Sequence, residues 1–192
     1  LGVMPDCAPV IVGKIKAGED IPTRPPSKRQ WRVKSEFTAT ELKERRQTRI
    51  NKASGQNVRT FVAGEWTLEY DLAHSGLTQE VWRAAVLALA DENIQVGKVT
   101  KEDAIGAREA EFLALAALEL EAKASHVYAL FETEGASKAI GAQYLSELLE
   151  HAVESGGMGV DELRSKLPSY VLDAIAYVTA PIPVTAAPEE QG

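Results

Sequence analysis

One stretch, Asn57-Val-Arg-Thr-Phe-Val-Ala63, carries the two-residue alternation of a half-buried strand, and beyond residue 78 no second stretch joins it. A lone strand leaves both edges unpaired and cannot make a sheet. The strands flanking it would have to come from upstream of Leu1 or from another chain, so the expectation is a chain cut from something longer. The fold class that follows is α/β at the start, with a partial sheet, and predominantly α-helical thereafter.

Directly after that stretch, Gly64 and Thr67 have the character of a turn and a helix N-cap, and the helix they introduce lies in Trp66-Thr-Leu-Glu-Tyr-Asp-Leu-Ala73. It sets two carboxylates, Glu69 and Asp71, among apolar residues. Such acids are either buried at a cost or used, and the carboxyl end of a strand is where open α/β sheets keep their ligands. On a regular helix, residues two apart project about 200° from each other, so Glu69 and Asp71 cannot both point into one site. Glu69 is the better candidate ligand, and Asp71 suits a helix-end or ion-pair role.

Upstream, Val10–Val12 is a short helix end or a strand edge, and Pro22, Pro25 and Pro26 make Glu19–Ser27 a loop. Thr38-Ala-Thr-Glu41 fits a capping box that opens a charged helix over Leu42–Ala53. Downstream, Thr78 is expected to cap a helix running to about Glu92, with Val81, Trp82, Ala85 and Leu89 at helical spacing. The longest helix is expected over Lys101–Lys123, with Phe112, Leu115 and Leu118 or Leu120 as its core stripe. A short piece follows over Ser125–Phe131, and Gly135 stops it. Helix resumes over Ser137–Glu154, breaks at Gly156-Gly157 and returns around Val160–Lys166 and Ser169–Val178, with Pro168 at a helix start. The tail from Pro181 to Gly192 has no apolar periodicity and is expected to fray.

Charge is unevenly spread over the 192 residues. Residues 14–52 hold twelve Lys and Arg against five acids, a balance of +7 that leaves −14 for the rest of the chain. A basic element on an acidic body suits a protein that meets a polyanion with one face; a solvated helix and a lysine-rich loop would give the same count. Within this run Arg45, Arg46, Arg49, Lys28 and Arg29 are the candidate DNA-backbone contacts. Trp31 either stacks on a base or anchors a loop. Cys7 is the single cysteine, which excludes an internal disulfide and a cysteine-based zinc site. His74, His126 and His151 share no helical face, so a metal would be held by oxygens. The stretch Val81–Ala90 is too short and too charged to span a membrane, and the opening residues lack a signal-peptide pattern, so a cytoplasmic location is expected.

Trp66–Ala73, taken with Lys138-Ala-Ile-Gly-Ala-Gln143 and Leu167-Pro-Ser-Tyr-Val-Leu-Asp-Ala-Ile175, resembles the carboxyl-terminal region of the OLD-family (overcoming lysogenization defect) nucleases. There, an ABC-type ATPase domain precedes a Toprim nuclease domain. The opening Val3-Met-Pro-Asp-Cys-Ala8 is similar to the segment after that family's Asp-x-Asp metal motif, with Gly2 standing where the second Asp is expected. The resemblance implies a Toprim-like sheet and phosphodiester hydrolysis at two Mg²⁺ or Mn²⁺ ions. It also implies Glu69 and Asp71 as metal residues, Glu69 and Lys138 as catalytic residues, DNA as partner, and homo-oligomerisation through the parent protein. ATP would act only in the absent parent domain. It further divides the chain. Residues 1–78 would be the carboxyl-terminal half of the Toprim-like domain, with a basic insertion at 14–55; residues 79–136 a helical domain; residues 137–180 helices returning to the Toprim edge; and residues 181–192 a flexible tail. The helix bearing Lys138 must then fold back to the chain near residue 64. The competing expectation is a catalytically inactive remnant, a helical protein-interaction module whose Phe112–Leu120 and Tyr144–Leu149 faces bind a partner. A plain DNA-binding helical protein is less favoured, because the helices after residue 78 are acidic.

Overall fold

The computed structural model describes residues 3–4, 32–53 and 59–181. Among these, the architecture is helical. Extended pairing is confined to a two-residue parallel ladder between β1 (Val3–Met4) and β2 (Arg32–Val33). The expected α/β beginning, with its Toprim-like sheet, is therefore overturned. Residues 59–63 run as irregular chain, and Asn57 and Val58 lie outside the described residues.

The reason is visible in what the alternating residues touch. Phe61 packs on Tyr177 of the last helix, with ring centroids 5.9 Å apart, and the Arg59 guanidinium lies 5.3 Å from both rings. The Val62 carbonyl accepts from Arg46, and the Gly64 amide donates to Asp71. Residues 60–63 are all partly buried, so the sequence alternation here does not sort side chains into an inner and an outer face.

The capping box at Thr38 forms: its hydroxyl accepts from the Glu41 amide at 3.2 Å, and the Thr38 amide donates to the Glu41 carboxylate at 2.7 Å. It opens α1, Ala39–Ala53, which buries none of its residues. Thr67 caps α2, Leu68–Leu72, with its hydroxyl accepting from the Tyr70 amide. The chain then widens into one π-turn, Ala73–Leu77, where Gly76 takes φ 119°. A Cβ at that glycine would meet Lys166 Cγ at 3.3 Å, so both the backbone angle and the space favour glycine. Thr78 does not cap the next helix. Its hydroxyl donates back to the Ala73 carbonyl, and α3, Thr78–Gln95, continues out of the π-turn.

α3 is the centre of the molecule. Val81, Trp82, Ala84, Ala85, Val86, Leu87 and Ala88 are all buried, so it is enclosed on most of its circumference. The expected long helix over 101–123 is broken into α4 (Lys101–Gly106), α5 (Glu109–Ala114) and a 3₁₀ turn (Leu115–Ala117). Leu118 is extended, at φ −82° and ψ 154°, and a new helix, α6 (Leu120–Glu132), begins beyond it. The break lets Phe112 turn onto Trp82, centroid to centroid 5.1 Å, while Arg108 ties Glu111 to Glu134.

α7 (Lys138–Glu154) makes the most extensive packing against α3, and α6 lies against another side of it. Gly141 lets α7 come close to α6, because a Cβ there would lie 2.9 Å from the Phe131 ring. The short α8 (Val160–Lys166) and α9 (Ser169–Thr179) close the molecule, the latter opening directly after Pro168. No helix among the described residues is long and apolar enough to cross a membrane.

Candidate functional site

The acids at 69 and 71 are separated by the geometry of α2. Asp71 turns inward and is 4% exposed. Its carboxylate accepts from three consecutive backbone amides: Gly64 at 2.6 Å, Glu65 at 3.2 Å and Trp66 at 2.9 Å. A buried carboxylate is tolerated only with this kind of compensation, and here it fixes the turn that leads into α2. Asp71 is thus engaged at both oxygens by the loop it holds.

Trp66, set by that turn, packs on Tyr128 at 4.3 Å and on Tyr70 at 5.7 Å, and Tyr70 stacks on His74 at 5.6 Å. This aromatic wall fixes the start of α2 against α6. Glu69 projects from the opposite side of α2, with its side chain 20% exposed. There it meets Lys138, the first residue of α7, whose ammonium donates to the Glu69 carboxylate at 3.3 Å. The two are 69 residues apart in sequence. The same ammonium lies 5.1 Å from the Tyr128 ring centroid, a cation–π distance. A cation in a helix's first turn is opposed by the macrodipole, by roughly 0.3–1 kcal/mol. Helix formation alone would not select lysine at that position; Glu69 and Tyr128 hold it there.

Behind Asp71, Tyr170 of α9 is 9% exposed, and its hydroxyl is buried on the side of the Asp71 carboxylate. Burial first, then the nearby Asp71 and Glu69 charges and the hydroxyl's hydrogen bonding toward Asp71, hold its pKa well above the ordinary tyrosine value. Tyr128 is pushed in the same direction, first by burial and then by its hydrogen bond to Glu132.

Beside this centre, α1 and the 62–66 turn enclose a hollow of about 230 Å³, whose walls carry Lys34, Lys43, Arg45, Arg46, Arg49 and the carboxylate of Glu65. All three expected arginine contacts, Arg45, Arg46 and Arg49, therefore lie on one wall. Lys28, Arg29, Trp31, Gly2 and Cys7 lie outside the described residues. The Arg45 guanidinium sits 4.9 Å from the Phe37 ring centroid.

No family model, curated protein or solved structure matches this chain.

Among the described residues no group of three or more His, Cys, Asp or Glu is arranged to hold a metal ion. Glu69 is the one carboxylate of the α2 pair not taken up by backbone amides, and a single carboxylate does not make up a two-ion centre. Lys34 and Lys43 belong to the basic 14–52 run and Tyr170 to the Leu167–Ile175 motif, but none of them is among the expected site residues. Pro168-Ser-Tyr170 marks a helix start, but nothing in that tripeptide signals that the tyrosine hydroxyl will be buried against Asp71.

Proposed function

We propose that this chain is the helical part of a DNA nuclease resembling the OLD family, and that Glu69 and Lys138 belong to its phosphodiester-hydrolysing centre. One observation supports this above the others: two residues from separate short motifs meet at 3.3 Å across the fold. In this reading the Lys138 ammonium, held by Glu69, supplies positive charge and hydrogen-bond donors to the phosphoryl oxygens as negative charge builds on them. Glu69 keeps that ammonium in place. The Trp66–Tyr128 wall excludes water from one side of the pair. Bound Mg²⁺ or Mn²⁺ would supply Lewis acidity and an activated water. Because the described residues do not fit a two-ion centre by themselves, its other ligands would come from outside them. DNA would be the substrate and the cytoplasm the place of action, with ATP used by a separate domain and homo-oligomers formed through the parent protein.

The test is relaxation of supercoiled plasmid by the gene product read from its own start codon, in Mg²⁺ and in EDTA. Nicking that needs the metal and is lost in both Glu69→Gln and Lys138→Ala supports the proposal. Metal-dependent nicking retained by both variants overturns it. Lys138→Ala should leave stability within about 1 kcal/mol of the unaltered protein, since the ion pair is partly exposed and solvent-screened.

A second reading, an inactive helical module that binds another protein, is favoured by the outer face of the last two helices. Val160 is 62% exposed and Val178 76%. An unaltered gene product that never nicks plasmid, and whose self-association or partner binding is lost in Val178→Asp, would favour it.

A further inference from the structure

We propose that the outer face of α8 and α9 is covered by a second copy of this chain, related by a two-fold axis that pairs Arg164 of each copy with Asp173 of the other. The proposal rests on the reading of that face as a partner-binding surface, and it names the partner.

Among the eleven residues of α9, Asp173 is the single charge, and a helix that is apolar on nearly every side is ordinarily enclosed. Tyr170 is nevertheless its only buried residue. The inward side is accounted for by Tyr170, set beside Asp71, and by Tyr177, which meets Phe61. Outward, Leu172, Ile175 and Ala176 of α9 join Val160, Leu163 and Leu167 of α8 around an open hollow of about 510 Å³. Val178, one helical turn from Ile175, extends the exposed apolar surface. Apolar residues gathered in this way over two helices mark an interaction surface, whereas scattered ones would not.

The charges decide what fits there. The hollow carries one cation, Arg164 from α8, and one anion, Asp173 from α9. Although they line the same hollow they form no ion pair with each other, and neither pairs with any other described residue. A partner offering only acids or only bases would satisfy one of them and repel the other. A two-fold axis through the hollow satisfies both. It lays α8 of one copy along α9 of the other, apolar surface on apolar surface, and brings each arginine to the opposite aspartate. An isologous interface needs a patch complementary to itself, and one cation and one anion on the two helices flanking an apolar centre make such a patch.

The experiment is analytical ultracentrifugation of the full chain over a wide range of concentrations, where a monomer–dimer equilibrium is expected. Arg164→Asp and Asp173→Arg should each weaken the dimer by roughly tenfold or more, because each sets like charges face to face twice. Mixing the two single variants should restore the dimer as a heterodimer, in which both contacts again join opposite charges. Combining both substitutions in one chain should restore it as well. Both residues are exposed, so each variant should keep the helical circular dichroism of the unaltered protein. Recovery on mixing has no counterpart in a merely structural role. A chain that stays monomeric at every concentration overturns the proposal, and so do dimers indifferent to both charge swaps. Those failures are distinguishable from failure of the partner-binding reading. Dimers lost in Val178→Asp but indifferent to the swaps would keep the face and discard the two-fold pairing. Dimers indifferent to all three substitutions would discard the face. The readout is mass, with neither DNA nor metal present, so the nicking assay plays no part in it.

Discussion

At the scale of single residues, Glu69 and Asp71 show how one turn of helix assigns opposite tasks to similar side chains. Asp71 faces in and organises three amides; Glu69 faces out and organises one ammonium. Asp71→Asn keeps the shape but offers one acceptor oxygen in place of two and removes the charge. It should cost about 2–3 kcal/mol, read as a lower midpoint in urea unfolding. The separation of roles was legible beforehand, because it follows from helical geometry alone. The identity of Asp71's partners was not. They are backbone amides of a turn, and backbone groups leave no mark in a sequence.

At the scale of elements, boundaries set by local chemistry could be read in advance, and those set by packing could not. The Thr38 capping box, the stop at Gly135 with φ 86° and the start after Pro168 each depend on a few adjacent residues. The 101–123 segment has unbroken helical periodicity, yet it folds as two short helices and a 3₁₀ turn because Phe112 must reach Trp82. The alternation over 57–63 suggested a strand, yet residues 59–63 are irregular chain held by contacts to Tyr177 and Arg46 that the local sequence does not announce.

Two predictions belong at this scale. Gly141→Ala puts a methyl 2.9 Å from the Phe131 ring at the α3–α6–α7 junction. It should destabilise by about 1–3 kcal/mol in denaturant unfolding. Tyr144, which ties α7 to α3 by donating to Asp91 at 2.7 Å, has its pKa pushed up to about 12 by burial and by that bond. The unfolded tyrosine ionises near 10, so this stabilisation is whole below about pH 10 and is lost as pH rises toward about 12. Tyr144→Phe should flatten that part of a stability-versus-pH curve. Tyr128 and Tyr170, also held protonated by burial, would keep some slope.

At the scale of the whole molecule, the helical body was legible as periodicity, and its enclosure of α3 follows from the alanines that let neighbouring helices approach. What a single sequence does not show is which distant motifs will meet. The Glu69–Lys138 contact spans 69 residues, and α3 through α6 lie between its two ends. That separation has a kinetic meaning. Closing so long a loop is costly before α7 docks on α3, so the expectation is that the contact forms late in folding and is lost early in unfolding. Any loss of stability from Lys138→Ala should therefore appear in the unfolding arm of a chevron plot, with the refolding arm unmoved. The pair would then assemble anew each time α7 settles, on a scaffold that is already complete.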